Sequence, residues 1–286
     1  MIIVIDALNK HRFEHVLDEM YRLRARVFAD RLGWDVQVHD GKEIDEFDAL
    51  DPAYVVGLDE AGHVVSCVRA LQTTGPHMLS DVFVDILDGE PPLRSAQLWE
   101  STRFCVDTNR LGGGKAVNSV SWATCELMIG SLEFAMRSGI RDIVTVIDPV
   151  MNRVLKRSDC APYDYVGKTV PMGKVSAMAA LLDCTPDRID RLRAFAGISH
   201  DVFGTEEEAL ALFRKEHPEM TEQRKPLSVA ARTDAPQTAP APNADDLRDY
   251  CRAQIDEART PRELDDALAL AELLLKPRSR NDRAAG

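Results

Sequence analysis

The stretch Ala53-Tyr-Val-Val-Gly-Leu58-Asp59-Glu-Ala-Gly62-His-Val64-Val-Ser-Cys-Val-Arg69-Ala-Leu71 decides the fold. Ala53–Leu58 and Val64–Leu71 are rich in β-branched and aliphatic residues, and the acidic, glycine-bearing connector between them is a hairpin signal. Two antiparallel strands therefore sit inside a chain whose other segments alternate helix and strand. Upstream, Met1-Ile-Ile-Val-Ile-Asp6 reads as a strand. Phe13, Val16, Leu17, Met20, Leu23 and Val27 then recur at three- and four-residue spacing, which predicts an amphipathic helix from about residue 11 to 30. Residues 35–51 are polar and acid-rich and read as a loop.

Downstream, a strand is expected over Gln97–Val106, and Gly112-Gly-Gly114 leads into a helix over about 116–137 that ends near Gly139. Asp142–Ile147 is a short apolar strand, and Asp148-Pro149 supplies an N-cap and a first helical residue for a helix to about Arg157. A weaker β region covers Tyr163–Leu182, and Thr185-Pro186 opens another helix. The fold class expected is α/β of the α+β kind: a mixed sheet covered by helices.

A length of 286 residues suits one substantial domain with an appendage, or two small ones. The composition changes near residue 220. Pro226 to Asn243 is rich in Pro, Ala, Thr and Gln without periodicity, and Thr260-Pro-Arg-Glu263 has capping-box spacing before Leu264, Leu268, Leu270 and Leu274. We therefore expect a main domain over 1–219, a linker over 220–243 and a helical C-terminal extension over 244–286.

Lys and Arg number 35 against 47 Asp and Glu, and a net charge of −12 argues against a general nucleic-acid binder, which must neutralise phosphates. No apolar run approaches the roughly 20 residues that cross a bilayer, so membrane insertion is not expected. The six cysteines (67, 105, 125, 160, 184 and 251) include no C-x-x-C pair, which suits neither a zinc site nor a disulfide framework and places the protein in a reducing cytoplasm. No H-E-x-x-H, G-x-S-x-G, Walker or EF-hand pattern is present, and no metal is expected.

Four constellations could carry chemistry. Arg24 and Phe28 are four apart and share a helix face, and Phe28 with Trp34 could sandwich a flat heterocycle or a cation, or else be core packing. Glu43-Ile-Asp45-Glu-Phe-Asp48 crowds carboxylates that could hold a cationic ligand, or form a solvated loop pinned by Phe47. Trp99-Glu100-Ser-Thr-Arg103-Phe104 and Arg69 place charges in apolar strands, where they must pair or line a cleft. In a strand, residues 100 and 103 point to opposite faces unless a bulge intervenes. Finally, backbone N–H groups of Asn109-Arg-Leu-Gly112-Gly-Gly114 could receive a phosphate or pantetheine oxygen, or the run could be a flexible connection.

In order along the chain, Arg24-x3-Phe28-x5-Trp34, Asp45-x2-Asp48, Arg69 and Glu100-x2-Arg103-Phe104 resemble the acyl-homoserine-lactone synthases, the autoinducer synthases of bacterial quorum sensing. Leu132-Glu-Phe-Ala135 and Gly173-Lys-Val-Ser-Ala177 extend the resemblance, which runs from residue 1 to about 196. It implies a GNAT-like acyltransferase fold: a twisted mixed sheet, flanked by helices, with a V-shaped cleft between two central strands. It also implies the partners, S-adenosylmethionine as substrate and an acyl thioester on acyl-carrier protein or acyl-CoA, with no separate cofactor.

The resemblance gives the residues roles. Glu100, and after it Asp45, are candidates to take the proton of the substrate amine, which is mostly protonated at neutral pH. Asp45 and Asp48 could hold the substrate's cationic groups or brace Arg24 and Arg69; Arg103 could anchor its carboxylate. Phe28 and Trp34 would enclose S-adenosylmethionine, and Phe104 belongs to the same cleft set. Thr145 lies where the family contacts the acyl chain, and its neighbours Met128, Met151 and Val154 could shape the acyl pocket, although core packing is the commoner role for all four. Two other readings stay open: a GNAT-type N-acetyltransferase using acetyl-CoA, and a catalytically inactive binding module.

Overall fold

A computed structural model of the chain describes residues 1–108, 110, 116–117, 120–172, 175–216 and 252. The strands are β1 (Ile2–Ile5), β2 (Ala53–Leu58), β3 (Val64–Gln72), β4 (Leu98–Val106), β5 (Asp142–Ile147), β6 (Asp164–Met172) and β7 (Val175–Asp183). The helices are α1 (Glu14–Ala25), α2 (Met78–Asp81), α3 (Trp122–Arg137), α4 (Pro149–Arg157), α5 (Pro186–Ala196) and α6 (Glu206–Glu216). The strands form one sheet in the order β1-β2-β3-β4-β5-β7-β6. Every pairing is antiparallel except β4 with β5. That parallel ladder runs from Leu98↔Asp142 only to Ser101↔Thr145, while β4 continues to Val106 and β5 to Ile147. Beyond Ser101 the two strands part, and a cleft opens at their carboxyl ends.

Helices cover both faces of the sheet. On one face Val16, Met20 and Leu23 of α1 pack with Ile3, Ile5, Val56, Leu58 and Cys67. On the other, α3 and α5 bury Leu127, Ile129, Leu132, Ile189 and Leu192 against Val55, Val68, Ile143 and Ile147. The alternation along each strand divides the two cores, as a pleat requires.

Several expected boundaries shift, each for a local reason. The first helix is α-helical only to Ala25 and then widens into a π turn over Arg26–Arg31, closed by the Leu32 N–H on the Val27 carbonyl at 3.0 Å. The helix expected from 116 begins at Trp122, because Ser121 is its N-cap and accepts the Thr124 N–H at 3.1 Å; Ala116–Val117 and Val120–Ser121 pair as a short ladder before it. The supposed loop over 35–51 contains a two-residue pairing of Val38–His39 with Lys42–Glu43 and a 3₁₀ turn over Glu46–Leu50. Asp148 and Thr185 are N-caps as the sequence indicates.

The chain divides into two compact units, Met1–Arg224 and Lys225–Gly286. The expected linker over 220–243 and the capping box at Thr260 lie outside the described residues, as does the Gly112–Gly114 run. Among the described residues no helix is long and apolar enough to cross a membrane.

Candidate active site

Three local devices bring the charged residues together. The first is the end of α1, which points the Arg24 guanidinium inward with none of its surface exposed. The second is a reciprocal capping box: the Asp45 carboxylate accepts the Phe47 N–H at 3.0 Å, and Asp48 accepts the Asp45 N–H at 2.8 Å. The box fixes both aspartates at the start of the 3₁₀ turn. The third is a bulge in β4, where Arg103 and Phe104 together oppose one residue of β3 between the pairs Arg69↔Thr102 and Cys67↔Cys105. Arg103 takes the left-handed conformation there, with φ of 54°. The extra residue turns Arg103 onto the face that carries Glu100 and Arg69, which an unbroken strand would not do.

Arg24 donates to Glu43 through Nε at 2.5 Å and grips Asp48 with both Nη atoms at 2.8 and 2.9 Å. Arg69 reaches Asp45 at 2.5 and 2.9 Å, Asp48 at 2.8 Å and the Thr102 hydroxyl at 3.0 Å. Arg103 meets Glu43 at 3.0 Å and Asp45 at 2.6 Å. Three guanidiniums and three carboxylates thus form one closed lattice whose formal charges cancel. Burial opposes the charge on Arg24, but Asp48 and Glu43 outweigh it and raise its pKa above the ordinary value. Burial likewise pushes Asp48 up, and Arg24 and Arg69 more than reverse this and hold it below the usual carboxylate range. The Tyr54 hydroxyl donates to Asp48 at 2.7 Å, and burial together with that charge raises its pKa.

Glu100 stands apart from this lattice. It is fully buried, and its two oxygens accept the backbone N–H groups of Met78 and Leu79 at 2.6 and 2.8 Å. Burial raises its pKa to about 7, against the lowering effect of those two N–H groups and of Arg69. The Met78 sulfur lies 3.4 Å from guanidinium nitrogens of both Arg69 and Arg103, which joins the two parts of the site.

Phe28 and Trp34 stack on each other, with centroids 5.2 Å apart and planes at 29°. They leave no gap for a third ring, so the sandwich expected from sequence is replaced by a two-ring wall. Phe28 is buried under the Arg103 guanidinium at 5.6 Å, and Trp34 is 43% exposed. Phe104 points the other way and packs against the α3 core. Met128 lies in that core too, with Met151 and Val154 against it. The Thr145 hydroxyl donates to the Ser101 carbonyl at 2.9 Å, across the last rung of the parallel ladder. The charged residues and the acyl-chain candidates therefore occupy opposite sides of the sheet beside the parting strands.

Tyr54, Thr102 and Met78 belong to the cluster although the sequence does not single them out, and Glu43, named only as part of the acidic run, belongs to it too. For Glu43 a signal existed: acids at 43 and 45 with an apolar residue between them share one face of an extended segment. For Met78 none did, since it reaches the site through its backbone N–H and a sulfur.

The chain matches the family described as Autoinducer synthase over residues 9–192, a span holding every site residue named above. It is 35% identical over 181 residues to an acyl-homoserine-lactone synthase of Agrobacterium fabrum, covering 63% of this chain and 85% of that protein. It is 40% identical over 157 residues to one of Aeromonas salmonicida, covering 55% and 74%. Among solved structures it resembles BjaI, a CoA-dependent acyl-homoserine lactone synthase solved with SAM and isopentyl-CoA: TM-score 0.63, 25% identity, 74% of this chain and 97% of that one. The mixed sheet with one parting parallel pair is GNAT-like. On these grounds the chain belongs to the autoinducer synthase family of acyltransferases.

Proposed function

We propose that the protein transfers an acyl group from a thioester, on acyl-carrier protein or coenzyme A, to the α-amine of S-adenosylmethionine. It then closes the product to an acyl-homoserine lactone, a quorum-sensing signal, and releases methylthioadenosine. The observation that carries this reading is Glu100: a buried carboxylate, titrating near 7, held beside a neutral lattice of arginines and acids where β4 and β5 part. S-adenosylmethionine serves as substrate, and the reaction uses no further cofactor. The site of action is the cytoplasm.

The substrate amine must lose a proton before it can attack. Glu100 has a free lone pair on each oxygen beyond those facing Met78 and Leu79, and its pKa near 7 suits a general base at neutral pH. The amine nitrogen then bonds to the thioester carbon, the C–S bond breaks with its electron pair on sulfur, and the second proton of the nitrogen passes to that sulfur, so that an amide and a free thiol result. Asp45 and Asp48 are engaged by arginines and so brace the cleft rather than take this proton. Arg103, at 11% the least buried of the three guanidiniums, is placed to orient the substrate carboxylate. That carboxylate then attacks the γ-carbon, and the sulfonium leaves as a neutral thioether. Phe28 and Trp34 wall the adenosyl side and keep water from the sulfonium. Thr145, bonded to the Ser101 carbonyl, and Met128, Met151 and Val154, in or against the α3 core, support a place for the acyl chain on the face away from the charged lattice.

The catalytic unit spans 1–219, joined through the linker 220–243 to the helical extension 244–286. The test is incubation of purified protein with S-adenosylmethionine and acyl thioesters of both kinds, followed by assay of methylthioadenosine. An acylated amine without methylthioadenosine points instead to an ordinary N-acyltransferase, and absence of any product to an inactive module.

A further inference from the structure

The carboxylate of Glu100 is held from outside its own strand. Its two oxygens cap the first N–H groups of α2, those of Met78 and Leu79, while His77, at the N-cap position of that helix, makes no side-chain cap bond. Where the base stands therefore depends on where the segment joining β3 to α2, residues 73–77, stands. Thr73 anchors its beginning: the hydroxyl accepts the Ser95 N–H at 3.1 Å and donates to the Leu98 carbonyl at 2.8 Å. Arg94 grips its middle from the solvent side, with Nη1 2.8 Å from the Gly75 carbonyl and within 3.3 Å of those of Thr73 and Thr74.

His77 grips the same segment from the interior. Its ring is fully buried, with Nδ1 3.0 Å from the Gly75 carbonyl that Arg94 also holds. A carbonyl only accepts, so Nδ1 carries the proton and donates. The Ser80 hydroxyl, 3.2 Å from Nδ1, gives its own proton to the His77 carbonyl at 2.9 Å. Nε2 is then a bare lone pair, buried and with no hydrogen-bond partner among the described residues. Such an atom costs stability, so an apolar side chain would serve packing at least as well. What histidine adds here is its Nδ1–H.

We propose that His77 and Arg94 are positioning residues for Glu100: by converging on the Gly75 carbonyl they set the segment that presents the Met78 and Leu79 N–H groups to the base. The proposal rests on the acyl-transfer reading, in which Glu100 takes the proton of the substrate amine. Both residues act through α2, which covers Glu100 and hydrogen-bonds it. Burial has the larger influence on that carboxyl, so a loosened cover lowers its pKa from about 7 toward the ordinary value, with Arg69 of β3 reinforcing the fall and Asp81 of α2 opposing it. The outcome is a weaker and misplaced base.

The experiment compares the full chain with His77→Leu, His77→Asn, Arg94→Ala and Arg94→Lys. Because Arg94 still donates to Gly75, His77→Leu should melt within about 4 °C of the parent. Its kcat is expected to fall on the order of tenfold to a hundredfold, with both substrate KM values little changed. The midpoint of its kcat/KM profile should fall by about one pH unit. His77→Asn, whose amide N–H replaces the Nδ1 donor, should recover most of both losses. Arg94→Ala should move kcat and the midpoint the same way, and Arg94→Lys should recover part. A midpoint that stays near 7 in His77→Leu and Arg94→Ala, whatever the change in kcat, would overturn the proposal. So would equal behaviour of the Leu and Asn variants. Should His77→Leu fail to fold, Arg94→Ala, a change at the surface, decides. Carbon-13 NMR of the full chain labelled at glutamate Cδ, with Glu100 assigned through Glu100→Gln, reads the same midpoint without turnover. A parent that forms no methylthioadenosine would defeat the acyl-transfer reading, while the NMR midpoints would still decide whether His77 and Arg94 govern Glu100.

Discussion

Asp48 binds Arg24 through two parallel hydrogen bonds of 2.8 and 2.9 Å, and neither side chain is more than 3% exposed. A buried pair of this kind contributes little over an apolar substitute, but it is costly to break from one side. Asp48→Asn leaves Arg24 charged and short of a counter-charge, and is expected to cost about 3–5 kcal/mol in urea unfolding. The parent should also lose stability in acid. The folded carboxyl titrates below its unfolded value of about 3.9, so its contribution is present above that pH and lost as pH falls through the folded pKa. Asp48→Asn should flatten that acid limb; an unchanged limb would remove Asp48 as its cause.

Glu100→Gln is expected to lower turnover by roughly 10²–10⁴-fold, the usual contribution of a positioned base, while S-adenosylmethionine binding changes little. In the parent, kcat/KM should rise with pH through an apparent pKa of about 7. That rise should vanish in the variant. Its persistence would place the base elsewhere.

Stability carries the opposite sign at the same residue. Because burial raises the folded pKa of Glu100 from 4.5 to about 7, its contribution is greatest below 4.5 and declines as pH rises through 7. Thermal unfolding of the parent between those values should show this decline. An unfolding curve independent of pH over that window would argue against a protonated, buried Glu100.

Arg103 holds a left-handed backbone at φ of 54°, which costs a non-glycine residue roughly 1–2 kcal/mol. Arg103→Ala and Arg103→Gly remove the same ion pairs, yet only glycine relieves the strain. The glycine variant should therefore be the more stable of the two by about 1 kcal/mol in urea, with both severely impaired in turnover. Equal stabilities would mean that the bulge relaxes when the side chain is lost.

Trp34→Ala should leave folding nearly intact, since the ring is 43% exposed, and should raise the S-adenosylmethionine KM on the order of tenfold. Trp34→Phe should recover most of that loss. An unaltered KM would show that the stacked pair serves packing alone.

The sheet was legible because its strands announce themselves by local rules. The runs around Ala53–Leu58 and Asp142–Ile147, and the caps Asp148 and Thr185, stand where the residues indicate. What escaped depends on register. Nothing in Glu100-Ser-Thr-Arg103 specifies the bulge that turns Arg103 to the face of Glu100, because bulges arise between strands and not within one. The π turn escaped for a different reason: Arg26–Arg31 keeps apolar residues at helical spacing, which does not separate a π turn from the α-helix before it. The charged residues that the structure brings together were nevertheless legible: Arg69 and Arg103 because a charge in an apolar strand must pair, Asp45 and Asp48 because carboxylates crowd one short run, and Arg24 because it shares a helix face with Phe28. Phe104 was misplaced, as the bulge that brings its neighbour inward sends it out.

The mutual neutralisation of those six side chains bears on the ionic medium the enzyme tolerates. Counter-ions damp interactions across open water over roughly 8 Å at physiological ionic strength, but Arg24 and Arg69 present no surface to them. Rising salinity should therefore leave this buried lattice standing while it loosens exposed pairs such as Lys10 with Asp51.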